Sequence, residues 1–279
     1  MIGAEQLERA IQGLHLQGKA VCIHAGMRSF GDRVEGGAEG LLQAFLRAGC
    51  TVMAPAFAYG FLSSPSEPWM PPQNGCGNYE WYRDHPLDPP PYTPDTRDIS
   101  QEDMGAFART VLLHPDAHRG DHPLNAFCAV GPRARELMAG QNAEKLYAPF
   151  EALCRMEGMV LMLGTDLGSA TIIHYSEQLA GRTPFVRWYR DHENCIRPAA
   201  VGSCSLGFEQ LTPVLAPMEK RAEVGESVWR MFPARDMAHA AADAIRREPM
   251  ITHCGRPHCK RCHDAVLGGP VLTKDFWRK

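Results

Sequence analysis

"QGKAVCIHAGMRSFGDRVEGGAEGLLQAFLRAGCTVMAPAFAYG", Gln17 to Gly60, decides the fold class. "QGKAVCIHAG" reads as a buried strand carrying His24 near its end. "GGAEGLLQAFLRAG" reads as a helix that opens on Gly36 and Gly37 and stops at Gly49. "CTVMAPAFAYG" is a second buried strand. Strand, glycine-rich turn, helix, strand is a βαβ unit. It predicts an α/β fold: a mixed, largely parallel sheet flanked by helices.

Outward from this unit the alternation continues. "AEQLERAIQGLHL" is a helix before it, and "MGAFARTVLLH" a short helix after it. "NAFCAVG" is a strand, "PRARELMAG" a helix, "GMVLMLGT" a buried strand and "ATIIHYSEQLAG" a helix. Val186 to Phe208 is expected to form strands that return to the sheet, and "MAHAAADAIRREP" a late helix. No repeat or linker divides the chain, so residues 1–279 are expected to form a single domain. Residues 60–103 break the pattern, being dense in proline and aromatics and without period. Trp69, Tyr79, Trp81, Tyr82 and Tyr92 argue for an ordered, pocket-forming insertion rather than disorder.

Composition is that of a globular protein: 279 residues, 44% hydrophobic, 22% charged. A net charge of -3 implies no general attraction to nucleic acid or membrane. No apolar run reaches the roughly 18 residues that span a bilayer. The N-terminus lacks an apolar signal core, which predicts a cytoplasmic protein. Its ten cysteines are then reduced thiols rather than a disulfide framework.

The chemistry concentrates in "VLMLGTDLGSATIIHYSEQLAG", Val160 to Gly181. An apolar strand empties into Gly-Thr-Asp and then a helix. Thr171, His174 and Glu177 stand three apart and so share one helix face. A carboxylate one turn from an imidazole binds one ring nitrogen and orients the other, as a general base requires. Asp166 is the other candidate for that partner. In open α/β sheets, sites gather outside the carboxyl ends of strands. "IHAGMRSFGDRVEGG" follows the first strand and opens a helix, where backbone N–H groups can hold phosphate. In "RGDHPLNAF", His122 precedes a proline and is held near a turn.

These pieces occur together in one family. H-x-x-x-R-S-x-G followed by G-G-A, the strand "TVMAPAFAY", "DHPLNAF", and "LLG" followed by T-x-x-H-x-x-E stand in that order at similar separations. From about residue 5 to residue 240 the chain resembles the aminoglycoside 3-N-acetyltransferases. The resemblance implies an acetyl-CoA-dependent N-acetyltransferase on an α/β fold unrelated to the GNAT fold. It implies that the glycine-rich first loop, His24, Ala25, Gly26, Arg28, Ser29, Gly31, Gly36 and Gly37, holds the CoA pyrophosphate. It places the general-base motif on Thr171, His174 and Glu177, and the site-lining HP motif on His122 and Pro123. Where family members usually read H-S-S-L, this chain has His24-Ala25-Gly26-Met27, so two hydroxyls are missing.

The expected substrate is a small-molecule amine, an aminoglycoside or a related compound. Residues 60–103 are rich in acids, Asp98, Glu102 and Asp103 among them, and an acidic aromatic wall suits a cationic substrate. The tail, residues 250–279, carries "THCGRPHCKRCHDA". Cys254, Cys259 and Cys262 with His263 fit a structural zinc site. Two rival classes remain at this level: a metal-dependent hydrolase built on His24, His122 and His174, and a CoA-binding protein without transferase activity. Nothing in the sequence speaks to oligomeric state.

Overall fold

The computed structural model describes every residue except Pro68, Asn78 and Lys279, with Arg278 described in its backbone alone. Ten strands follow one another along the described chain. They are β1 (Ala20–Ala25), β2 (Thr51–Phe57), β3 (Leu62–Ser63), β4 (His118–Arg119), β5 (Asn125–Val130), β6 (Met159–Leu163), β7 (Phe185–Arg190), β8 (Ile196–Val201), β9 (Lys220–Val224) and β10 (Ser227–Pro233). Seven form the main sheet in the order β4-β5-β2-β1-β6-β10-β9. β3, β7 and β8 form a separate three-stranded sheet.

The main sheet is mixed. Its parallel pairings are confined to the centre, where β1 pairs with both β2 and β6. Outside that trio every pairing is antiparallel. Alternate residues of the central strands feed two apolar layers, as a period of two demands. Cys22, Val160 and Met162 face one layer, and Val21, Ile23, Leu161 and Leu163 the other. Both layers are covered by helices, so these strands are apolar on both faces. Helices Ala148–Arg155, Ile172–Leu179 and Ala234–Arg247 cover the first layer, and Ala4–Gly13, Gly37–Arg47 and Gln101–Leu113 the second.

One local feature opens the sheet. β1 and β2 pair only from Ala20↔Thr51 to Cys22↔Met53. Beyond that point β1 continues beside β6 as far as Ala25↔Leu163, while β2 continues beside β5 as far as Phe57↔Asn125. The Thr51 N–H bonds Lys19 O on the β1 side. With a period of two, the nitrogen of Pro55 faces the same way and has no hydrogen to donate. The ladder stops and the strand ends part.

The segment from Val186 to Phe208 does not return to the main sheet. β7 and β8 pair with each other as an antiparallel hairpin and with β3. The 60–103 insertion covers this small sheet. Tyr79 and Tyr82 pack edge-on against Trp188, whose indole N–H donates to Trp69 O at 2.6 Å. The hairpin of β9 and β10, which extends the main sheet past β6, is a further addition to the pattern expected from sequence.

The turn leaving β6 is made by Gly164 in the left-handed region, at φ 64°. A Cβ there would stand 1.8 Å from Ser29 Oγ, itself bonded to Ser227 Oγ at 2.8 Å. Gly164→Ala is therefore expected to destabilise the protein by about 1–3 kcal/mol, through overpacking and a strained backbone. Urea unfolding of the variant checks this.

Candidate active site

A cleft of about 640 Å³ lies where β1 and β2 part. Ile23, His24 and Ala25 of β1 form one wall, and Pro55, Phe57 and Tyr59 the other. Thr165, Ser169, Thr171 and His174 enter from the β6 turn and the helix after it. Val201, the last residue of β8, and Gly202 to Leu206 after it close the remaining side. The position is the topological switch point of the sheet, beyond the carboxyl ends of its central strands.

His174 and Glu177 lie on one face of the helix Ile172–Leu179, three residues apart. His174 Nδ1 is 2.8 Å from Glu177 Oε2. The carboxylate accepts from Nδ1–H, so the neutral ring keeps its lone pair on Nε2. The choice of partner left open by the sequence is thus made by geometry. Asp166 is exposed beside a shallower hollow that it shares with Gly164, Glu209 and Arg230. Thr165 and Ser169 line both hollows.

Glu177 is buried and is held by more than His174. Ser203 Oγ donates to its Oε2 at 2.5 Å, and Arg182 Nη1 to its Oε1 at 2.6 Å. Burial opposes the charged carboxylate, but His174, Arg182 and Ser203 outweigh it and hold its pKa below the usual range. Arg182 in turn donates to Thr252 Oγ1 at 2.7 Å and to Pro249 O at 2.6 Å. The chain beyond the late helix therefore braces the pair from behind. Gly202 lies against the imidazole, where a Cβ would stand 2.9 Å from His174 Cδ2. Phe208 packs on the same ring at a centroid distance of 4.7 Å.

The other residues singled out by sequence fall as follows. His24 lines the cleft, and burial lowers its pKa to about 4, so it is neutral near pH 7. Ala25 lines the cleft too. Gly26, Arg28, Ser29, Gly31, Gly36 and Gly37 run away from that wall toward the helix Gly37–Arg47, and none of them lines the cleft. His122 is fully buried outside it. Its Nε2–H donates to Ala200 O at 2.9 Å, and its Nδ1 accepts from the Leu124 and Asn125 N–H groups, so it fixes the turn into β5. Of Asp98, Glu102 and Asp103, the last alone lines the cleft. Among the described residues of 60–103 only Leu62 joins it in lining the cleft. The cleft's charged lining is thus Asp103 with Arg187 and Arg261, not an acidic wall.

Ser203, Arg182, Tyr147 and Asn125 carried no sequence signal of their own. Asn125 Oδ1 is a buried acceptor without a partner, on a residue that lines the cleft. Among the described residues, His24, His122 and His174 form no cluster able to share a metal ion. The tail sulfurs do converge, but their fourth companion is Cys204: the Sγ atoms of Cys204, Cys254, Cys259 and Cys262 all lie within 4.8 Å of one another. His263 is exposed and stacks on His253, with ring centroids 5.2 Å apart. No described helix is long and apolar enough to cross a membrane.

Comparison with known proteins agrees with this architecture. A family model described as aminoglycoside 3-N-acetyltransferase matches residues 22–246. The aminoglycoside N(3)-acetyltransferase III of Salmonella sp. is 30% identical over 191 residues, covering 65% of this chain and 62% of that protein. The chain thus spans less than two thirds of the length of that relative. The apoenzyme structure of aminoglycoside acetyltransferase AAC(3)-IVa superposes with a TM-score of 0.74 at 22% identity, covering 96% of this chain and 97% of that one. A binary complex of AAC-IIIb with CoASH superposes with a TM-score of 0.68 at 20% identity, covering 88% and 96%.

Removing the Glu177 carboxylate leaves Arg182 as a buried, uncompensated charge. Glu177→Ala is expected to cost about 3–5 kcal/mol in urea unfolding. The double variant Glu177→Ala/Arg182→Ala should cost less than the sum of the two single variants. Additive losses would show that the two side chains are not coupled.

Proposed function

The chain belongs to the aminoglycoside 3-N-acetyltransferase family, and from that premise we propose that it transfers the acetyl group of acetyl-CoA to an amino group of an aminoglycoside or related amine. The observation that carries the reading is the His174–Glu177 pair, held at 2.8 Å on the wall of the cleft. It stands where the family's T-x-x-H-x-x-E motif falls. A cofactor-bound member of the same fold, the AAC-IIIb complex with CoASH, supports the choice of donor.

An ammonium must lose a proton before its nitrogen can attack a thioester. In this reading His174 Nε2 takes that proton and Glu177, charged and buried, stabilises the imidazolium. Arg182 and Ser203 keep the carboxylate ionised and aimed. The amine nitrogen forms its bond to the acetyl carbon, the C–S bond breaks, the proton held by His174 goes to the departing thiolate, and the neutral His174 then takes the second proton that the nitrogen sheds on becoming an amide and passes it to solvent. In this reading Thr171, on the cleft wall one turn before His174, donates to the developing oxyanion or to the thiolate. Bringing two bound substrates together supplies much of the rate, so no covalent enzyme intermediate is required.

The donor enters past His24 and Ala25 in this reading, and the glycine-rich segment from Gly26 to Gly37 takes its phosphates through backbone N–H groups. Arg28 is exposed there and adds charge. The Gly26 N–H is already taken by Leu163 O, so in this reading the phosphates fall to N–H groups further along the segment. On the acceptor side, Asn125 Oδ1 and Asp103 offer an ammonium a neutral and a charged acceptor in the cleft that Arg187 also lines. One acid against two arginines suits an amine of low charge at least as well as a polyamine.

Thiol release from acetyl-CoA, followed with gentamicin-type, kanamycin-type and simpler amines, tests the assignment. Release is expected only when amine is present. His174→Ala should lower kcat by about 100-fold or more while the fold persists. Near-normal turnover in that variant would exclude His174 as the base.

A further inference from the structure

Four cysteine sulfurs from segments far apart in sequence meet at the rim of the cleft. Cys204 follows β8. Cys254 and Cys259 lie in the tail, and Cys262 in the helix Lys260–Val266. All four are reduced thiols, and their Sγ atoms lie within 4.8 Å of one another. A tetrahedral zinc ion with bonds of about 2.3 Å places its sulfurs about 3.8 Å apart, so only a small inward movement completes the site. One sulfur already accepts a backbone N–H within the group, Cys262 Sγ from Cys254 at 3.4 Å. Arg256, Lys260 and Arg261 interleave with these cysteines and offset the charge of four thiolates around a dication.

We propose that Cys204, Cys254, Cys259 and Cys262 bind one zinc ion as a closed structural site that clamps the C-terminal tail onto the segment Gly202–Ser205. Soft thiolate ligands select zinc over the hard cations. Four protein ligands leave no open coordination position, so the ion activates no water. Binding releases the thiol protons and changes no oxidation state.

The clamp bears on the catalytic pair. Arg261, next to Cys262, donates to the carbonyls of Gly202, at 3.2 Å, and of Ser203. Ser203, next to Cys204, holds Glu177 Oε2, and Gly202 lies against the His174 ring. The ion is thus a positioning element. The ligand assignment is independent of the acetyl-transfer reading, whereas the effect on turnover rests on it.

Elemental analysis of the full-length protein, purified under reducing conditions, is expected to find about one zinc per chain. Cys204→Ser and Cys259→Ser should lose it and His263→Ala should keep it. Replacing zinc by cobalt(II) in the unaltered protein should give the visible absorption of a tetrahedral tetrathiolate, which tests the site even where a variant fails to fold. Stripping the metal should hasten trypsin cleavage after Lys260 and Arg261, and lower kcat more than it raises KM for acetyl-CoA. The proposal is overturned by protein that neither contains zinc nor takes it up when reduced. A Cys204→Ser variant with full zinc, iron in place of zinc, or a mass showing disulfides among these cysteines overturns it equally. Should no amine be acetylated, the metal content and cobalt spectrum still decide the ligand assignment.

Discussion

The parting of β1 from β2 after Cys22↔Met53 is the constraint on which the site depends. Two strands that stayed paired to their ends would leave the sheet closed, with side chains packed between the helical layers. Pro55 denies β1 the next hydrogen bond, and each strand keeps its outer partner instead. The opening is framed by two intact ladders.

A single carboxylate organises what lines that opening. Glu177 receives His174 and Ser203 on one oxygen and Arg182 on the other. Three donors come from three parts of the chain: its own helix, the segment after β8, and the turn into β7. A buried carboxylate so surrounded stays ionised because the donors together exceed the desolvation cost. The consequence for chemistry is a fixed tautomer of His174. The consequence for architecture is that the tail, reached through Arg182 and Thr252, is part of the support of the site rather than an appendage.

Much of this is legible in the sequence. The βαβ unit of Gln17 to Gly60 holds, with β1, the helix Gly37–Arg47 and β2 where period and glycine punctuation put them. The spacing of His174 and Glu177 translated directly into contact, because residues three apart on a helix share a face whatever surrounds them. Long-range pairings were not legible. Apolar runs do not state their direction, so the antiparallel outer strands and the separate β7–β8 sheet went unread. Aromatics of 60–103 pack on β7 rather than lining the cleft. His122 looked like a site residue and proves to be a turn-former, with both ring nitrogens taken by backbone groups.

By itself the sequence determined the local elements, the helical face carrying the acid–base pair, and the family, since each follows from neighbours within a few residues or from motifs in fixed order. Tertiary structure alone decided the partner of His174, the exclusion of Asp166 from that role, and the replacement of His263 by Cys204 among the tail sulfurs. The physical reason is the same in all three cases. Hydrogen bonds and clustered sulfurs depend on distances of a few ångströms, and separation along the chain says nothing about distance once the chain turns back on itself. Cys204 and Cys254 stand fifty residues apart in sequence and side by side in space.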